Sequence, residues 1–172
     1  MQDINITKLY SGAPLTAMDT DHSFTITTPG TEETVREALA LVRDKMRARG
    51  LSEDICGNVE IALAEALNNI VEHAYADISG TVEITGEIKK QRLLLDLRDH
   101  GHPMPDLALP KGNLPDHEVA LEDLPEGGFG WFLIHSLTMK LLYNRQADGN
   151  CLTMVFSLQE NVPQDRVSSG SA

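Results

Sequence analysis

The pattern of apolar and polar residues predicts a strand followed by two helices in the first half of the chain. Residues 23–28 alternate apolar with polar side chains, which is typical of a strand with one covered face. Apolar residues then recur at spacings of three or four and predict an amphipathic helix from about Thr31 to Gly50. Ser52, followed by two acidic residues, begins a second predicted helix that extends to about Tyr75.

The second half of the chain returns to strand patterns. Gly80 opens a predicted hairpin with a turn at 89–91, and the apolar residues of its strands alternate. Those apolar positions are Val82, Ile84, Ile88, Leu93, Leu95 and Leu97. Asp99 shares the parity of the leucines, so we expect its carboxylate on the covered face of the sheet, where it needs a partner. A long proline-containing connection follows at 103–125, and a short helix is predicted at 129–137. The chain then forms a final predicted hairpin with strands at 140–144 and 151–158.

Together these elements predict an α/β (α+β) fold. We expect a two-layer sandwich in which helices cover one face of a mixed, mainly antiparallel sheet. At 172 residues, the chain suits one domain with its own hydrophobic core. We expect residues 1–22 to form an N-terminal arm or edge segment, residues 23–158 to form the domain, and residues 159–172 to form a frayed tail.

The balance of charges narrows the classes of partner. The formal net charge is −12 with 14 Lys plus Arg, which argues against nucleic acid or a membrane surface, because both attract basic proteins. The acidity serves either solubility or contact with a basic protein. No apolar run is long enough to span a membrane. Residues 1–10 lack a signal-peptide pattern. Cys56 and Cys151 have no Cys or His neighbours at metal-ligand spacing, so we expect them to be buried thiols in a cytoplasmic protein.

Two short segments contain candidate chemical groups. Glu65 and Asn69 lie within ~40° of each other around the second predicted helix. They form either the solvated edge of that helix or a general base beside a neutral Mg²⁺ ligand. Asp99 and Gly101 end a strand and form either an ordinary turn or a site where a carboxylate accepts a hydrogen bond from an exocyclic amino group such as that of adenine.

A glycine-rich run precedes the last predicted helix. Gly127, Gly128 and Gly130 are explained either by a flexible loop or by a phosphate site, since backbone amides at a helix start bind phosphate well. The run lacks Gly-Lys-Ser/Thr and follows a loop, so neither the P-loop nor the Rossmann template fits. An acid and an amide on a helix, then an acid–glycine turn, then a glycine loop together indicate a nucleotide site for ATP and Mg²⁺.

In this order, the motifs resemble those of the GHKL ATPase superfamily and, within it, the bacterial anti-sigma-factor serine kinases. The resemblance covers about residues 23–158 and implies a histidine-kinase-like ATPase domain of the Bergerat type. It matches the family's N box and its first and second glycine boxes. The matching residues are Glu65-x-x-x-Asn69 with His73-Ala74-Tyr75, Asp99-x-Gly101-x-Pro103, and Gly128-Phe129-Gly130-Trp131-Phe132-Leu133-Ile134.

The resemblance also implies a role for each candidate residue. Glu65 would be the catalytic base that activates a serine hydroxyl of a partner protein. Asn69 would hold Mg²⁺, and Asp99 would bind the amino group of adenine. Three glycines would shape the nucleotide cleft and its lid: Gly101, Gly128 and Gly130.

Two features depart from the family pattern. Kinase lids usually supply a cation to the terminal phosphate, and residues 103–129 offer Lys111 alone. The last glycine box often reads Gly-Thr, whereas Gly149 is followed here by Asn150. Thr153 either serves in place of that threonine as a nucleotide-binding residue or is an ordinary strand residue.

The implied function is that of an ATP-binding anti-sigma regulatory factor with serine/threonine kinase activity. Such a protein sequesters a sigma factor and phosphorylates a serine on a STAS-type anti-sigma-factor antagonist, and it can form a homodimer. The scarcity of lid cations leaves an alternative, a nucleotide-responsive binding module without phosphoryl transfer. A detached histidine-kinase domain fits less well, because no helix with a phospho-acceptor His precedes Phe24.

Overall fold

Six strands form a single sheet in the computed structural model, which describes residues 16–19, 22–112, 129–147 and 149–159. The spatial order of the strands is β1-β2-β3-β4-β6-β5, and each neighbouring pair is antiparallel. The strands are β1 Thr16–Asp19, β2 Ser23–Pro29, β3 Thr81–Lys89, β4 Arg92–Asp99, β5 Lys140–Arg145 and β6 Asn150–Ser157.

The helices follow the predicted segments closely. Within the described residues they are α1 Glu32–Ala48, α2 Glu53–Asn69 and α3 Phe129–Leu137. Ser52 caps α2, since its hydroxyl accepts a hydrogen bond from the amide of Ile55 at 3.4 Å. A π-helical turn at Ile70–Ala74 extends α2, and the amide of Tyr75 donates to the carbonyl of Ile70 at 3.0 Å.

The hydrophobic core lies between the helices and one face of the sheet. Every second residue of β2, β3, β4 and β6 is buried there, as the period of two in a strand requires. Val42, Met46 and Leu63 are among the helical residues that meet this face, and all are at most 1% exposed. No helix in the described ranges is both long and apolar enough to cross a membrane.

The prediction of a two-layer α/β sandwich is confirmed. The mixed pairing that we allowed for the sheet is not found in the described residues, where all pairings are antiparallel. The last strand begins at Asn150 instead of Cys151, and this places the Asn150 side chain on the covered face. The expected N-terminal segment contributes β1 as an edge strand, while the domain boundaries stay predictions.

Candidate functional site

A cavity of about 360 Å³ opens between the helix layer and the sheet beside the end of β4. Its volume falls in the range of small-molecule pockets. Most of its wall is apolar, with a few polar side chains from separate elements. The polar residues are Asn69, His73, Asp99, His102, Tyr143 and Asn150. An apolar cavity with a few polar groups is the form expected of a small-molecule site.

Asp99 supplies the buried carboxylate of this cavity, as the strand parity predicts. Its side chain is 3% exposed. The amide of Gly101 donates to Asp99 Oδ1 at 2.8 Å, and Asn150 Nδ2 donates to the same oxygen at 2.7 Å. Both of these donors bind Oδ1; among the described residues none donates to Asp99 Oδ2, and Asp99 lines the cavity.

Gly101 lies where the turn after β4 presses against the π-helical turn. A Cβ at this position would lie 2.4 Å from the backbone carbonyl oxygen of Ala74. The amide of His102 donates to that same carbonyl at 2.9 Å. The turn therefore requires a glycine, because the atom that a side chain would meet belongs to the backbone.

Tyr75 joins the end of the π-helical turn to two strands. Its hydroxyl donates to the carbonyl of Thr81 at 2.7 Å and accepts from the amide of His100 at 3.1 Å. Burial raises the pKa of the Tyr75 phenol, and the negative charge of Asp99 raises it further, although the bond from His100 acts in the opposite direction. The phenol therefore remains a neutral donor beside the candidate site.

Glu65 and Asn69 lie one turn apart near the end of α2. Asn69 lines the cavity, and its Nδ2 donates to the backbone carbonyl of Glu65 at 2.8 Å, which leaves its Oδ1 for a cation. Glu65 is half-buried, and its carboxylate faces the start of α3. A Cβ at Gly130 would lie 2.5 Å from Glu65 Oε2, so a glycine allows α3 to begin against this carboxylate.

The described residues bring most of the sequence candidates together, with two exceptions. Gly128 lies outside the described residues. Thr153 lies on the opposite face of the sheet from Asp99, where its hydroxyl is 2.5 Å from Asp96 Oδ1. Side chains alternate along β6, so burial of Asn150 and Leu152 turns Thr153 outward. The structure does not bring Thr153 to the cavity.

Sequence reasoning missed Asn150, which contacts the Asp99 carboxylate, and it missed Tyr143 and Arg145, which contact Asn150. Asn150 donates to Asp99, and its own amide oxygen accepts from Tyr143 Oη at 2.6 Å and from Arg145 Nη1 at 2.9 Å. The available signal was the asparagine at the position after Gly149, where the family often has threonine. The other two residues carried no sequence signal, because they are ordinary members of a strand.

Within the described part of the chain, the histidines near the cavity do not form a metal centre with carboxylates or thiols. His102 Nε2 lies 2.6 Å from Asp77 Oδ1, and both side chains are more than half exposed. Among the described residues, no three His, Cys, Asp or Glu side chains are placed to hold a metal ion. Of the described residues that line the cavity, Asn69 offers a neutral amide oxygen of the kind that can bind a cation.

Comparisons with known proteins show which family and which proteins this chain is similar to. A family model described as the histidine kinase-like ATPase domain matches residues 28–156. The chain is 31% identical to a serine-protein kinase RsbW of Halalkalibacterium halodurans over 148 residues, which is 86% of this chain and 90% of that protein. It is 30% identical to a serine-protein kinase RsbW of Oceanobacillus iheyensis over 118 residues, 67% of this chain and 75% of that protein.

One solved structure shows the same fold. It contains the RsbU and RsbW domains of a Mycobacterium tuberculosis protein, and it superposes with a TM-score of 0.55 at 18% identity. The match covers 84% of this chain and 33% of that longer chain. At this identity the likeness concerns the fold, and it supports the two-layer arrangement in which the cavity lies.

Proposed function

Because the chain belongs to the histidine kinase-like ATPase family, we propose that it is a serine-protein kinase that binds ATP in the cavity beside Asp99. One observation carries the proposal. A buried carboxylate lines an apolar cavity together with an amide on the helix opposite, and among the described residues the donors to this carboxylate bind one of its two oxygens. The relatives named serine-protein kinase support the type of reaction.

The base of ATP would be recognised at Asp99. Its Oδ2 accepts a hydrogen bond from the exocyclic amino group of adenine, while the apolar wall, including Trp131 and Leu152, contacts the ring. Gly101 keeps the turn close enough to the π-helical turn for this cavity to retain its shape. A nucleobase with a carbonyl at the same position would oppose its oxygen to the carboxylate and bind less well.

Asn69 fits the role of a Mg²⁺ ligand. Its Nδ2 is held by the carbonyl of Glu65, and its Oδ1 is a neutral oxygen of the kind that Mg²⁺ accepts. The ion is usually held by one or two protein groups together with substrate phosphates, which suits a cavity whose described residues include no cluster of metal-binding side chains. When bound, Mg²⁺ would neutralise negative charge on the phosphates.

Glu65 would act as the general base. Its carboxylate would take the proton from the serine hydroxyl of a partner protein while the hydroxyl oxygen attacks the terminal phosphorus of ATP. The bond from that phosphorus to the bridging oxygen would break, so that ADP leaves and phosphoserine remains. Glu65 lies one turn before Asn69, so the two side chains share one side of α2, and this supports the proposed pair of roles. Gly130 lets α3 begin against Glu65, and the roles of Gly130 and of Gly128 in a nucleotide lid are proposals from the family resemblance.

The substrate of the kinase would be a STAS-type anti-sigma-factor antagonist, and its other partner a sigma factor. In this proposal the unphosphorylated antagonist displaces the sigma factor, and phosphorylation reverses that exchange. A net charge of −12 also suits a partner with a basic surface. The second candidate is a nucleotide-responsive module that does not transfer phosphate. Its support is that Lys111 is the one Lys or Arg in residues 103–129, whereas the relatives named serine-protein kinase favour the kinase.

The deciding experiment is phosphate transfer from labelled ATP to purified STAS-type antagonist proteins of the same organism. We expect the wild type to label a serine, and Glu65→Gln to lower the rate by ~10²–10⁴-fold while it still binds ATP, because it lacks the base. Glu72→Gln is the matched control, since Glu72 is an exposed carboxylate further along the same helical segment.

Three outcomes separate the candidates. Serine labelling that depends on Glu65 and not on Glu72 supports the kinase. ATP binding without labelling of any antagonist selects the nucleotide-responsive module. Absence of ATP binding by folded wild-type protein contradicts both functions.

A further inference from the structure

The amide of Asn150 has all of its hydrogen-bonding capacity used within the protein. Its side chain is buried, 6% exposed. Its Nδ2 donates to Asp99 Oδ1 at 2.7 Å and to the carbonyl of His102 at 3.0 Å. Its Oδ1 accepts from Tyr143 Oη at 2.6 Å and from Arg145 Nη1 at 2.9 Å. An amide has two donor hydrogens and two acceptor lone pairs, so no capacity remains for a ligand.

The sheet places these groups side by side. Asn150 is the first residue of β6, and it lies directly opposite Asp99 on β4 and Arg145 on β5. Gly149 permits the close approach, because a Cβ there would lie 2.8 Å from the carbonyl oxygen of Asp99. The register between β4 and β6 therefore brings the Asn150 amide next to the Asp99 carboxylate.

Arg145 and Tyr143 extend the contact to the backbone around the cavity. Arg145 Nη1 donates to the carbonyl of Gly101 at 2.9 Å as well as to Asn150. The hydroxyl of Tyr143 accepts from the amide of Met104 at 3.0 Å. The turn after β4 is thus held to the same amide that holds Asp99.

We infer that Asn150 is a positioning residue for recognition of the base, and that it acts through Asp99. An aspartate carboxylate rotates about its last bond unless its oxygens are held. Asn150 and the amide of Gly101 both donate to Oδ1, and together they leave Oδ2 as the oxygen that meets the amino group of the base. The inference rests on the proposed function, in which that base is adenine.

The test compares two nucleotides that differ in one group. ATP and purine riboside 5′-triphosphate, which has hydrogen in place of the 6-amino group, are each titrated calorimetrically into folded protein with Mg²⁺. A hydrogen bond to a charged group is worth about tenfold to a hundredfold in affinity, so we expect the wild type to prefer ATP by that ratio.

Asn150→Ala should lower the preference for ATP to about threefold or less, because Asp99 Oδ1 then keeps the amide of Gly101 as its donor and loses the side-chain donor. Its affinity for purine riboside triphosphate should remain within about threefold of the wild type, since that nucleotide lacks the group that Asp99 binds. Asn144→Ala is the matched control, because Asn144 is an exposed asparagine on the neighbouring strand, and it should keep the full preference.

Each result decides the matter. Equal weakening of both nucleotides by Asn150→Ala would make Asn150 a structural residue and overturn the inference. The inference would also be overturned if Asp99→Asn removes the preference for ATP while Asn150→Ala keeps it. That result would leave the proposed function intact. If the wild type binds both nucleotides equally, Asp99 does not contact the amino group of the base, and the inference is overturned. If Asn150→Ala does not fold, Tyr143→Phe deletes one donor to the amide and should lose part of the preference.

Discussion

Among single residues, Gly101 and Gly57 are two glycines at which an added side chain should change the stability of the fold in opposite directions. A Cβ at Gly101 would meet the backbone carbonyl oxygen of Ala74 at 2.4 Å, whereas a Cβ at Gly57 would meet nothing within 4 Å. Gly57 lies inside α2, where alanine is a better helix former than glycine. The two positions therefore separate a steric requirement for glycine from a merely tolerated one.

We expect Gly101→Ala to lower the free energy of unfolding by about 1–3 kcal/mol, because the turn must move away from the π-helical turn. Gly57→Ala should raise the free energy of unfolding by up to about 1 kcal/mol. Urea unfolding of the two variants and the wild type measures both effects. A Gly101→Ala protein as stable as the wild type would show that the turn has room to shift.

At the scale of elements, an ion cluster joins α1 to the first turn of α2. Arg47 donates to both carboxylate oxygens of Glu53, each at 2.7 Å, and Arg43 donates to Glu53 at 2.9 Å. Arg43 also donates to Glu60 at 2.5 Å, so the two helices are joined at two levels. The hydrogen bonds from Arg47, and then those from Arg43, lower the pKa of Glu53 to about 2.

This lowered pKa gives a pH dependence with a definite sign. The carboxylate is harder to protonate in the folded protein than in the unfolded chain, so the cluster stabilises the fold fully above pH 4.5 and loses its effect as the pH falls towards about 2. Glu53→Gln has no carboxylate to protonate at this position. As the pH falls from 4.5 towards about 2, its free energy of unfolding should therefore decrease less than that of the wild type. Denaturant unfolding at several pH values measures the difference.

The control for this cluster is Asp54→Asn, which changes the adjacent exposed carboxylate of the same turn. It should follow the wild type through the acid range. Added salt should narrow the difference between wild type and Glu53→Gln, because the cluster is largely exposed. Parallel acid profiles of Glu53→Gln and wild type would mean that the cluster adds nothing to stability.

At the scale of the whole molecule, the candidate site joins the two layers of the sandwich. Asn69 belongs to the helix layer and Asp99 to the sheet, so one bound nucleotide would contact both. A ligand that binds the folded protein alone stabilises it, by about 2.7 kcal/mol at one hundred times its Kd. The increase in Tm on adding ATP therefore measures how tightly the site binds the nucleotide.

We expect Mg-ATP to raise the Tm of the wild type more than ATP with a metal chelator does. Asn69→Ala should lose the part of this stabilisation that depends on Mg²⁺, and a tenfold weaker Kd would reduce it by about 1.4 kcal/mol. Asn68→Ala is the control, because Asn68 is the exposed neighbour on the same helix. Equal losses in Asn69→Ala with and without Mg²⁺ would remove Asn69 from the metal site.

The sequence by itself determined the order of the elements and the face on which Asp99 lies. Helical and strand periods are local properties, because each residue's burial on an amphipathic element depends on its position in a short repeat. The predicted segments therefore match α1, α2, β3 and β4 closely. The family motifs likewise identified residues that the structure brings to one region, namely Glu65, Asn69, Asp99, Gly101 and Gly130.

Only the tertiary structure decided what surrounds Asp99. Asn150 is 51 residues away along the chain, and it reaches the carboxylate because β6 pairs with β4 in one register. The same register sends Thr153 to the other face, where it meets Asp96. Register between distant strands is fixed by the packing of the sheet against the helices, and a local pattern of residues carries no information about which distant residue will lie opposite.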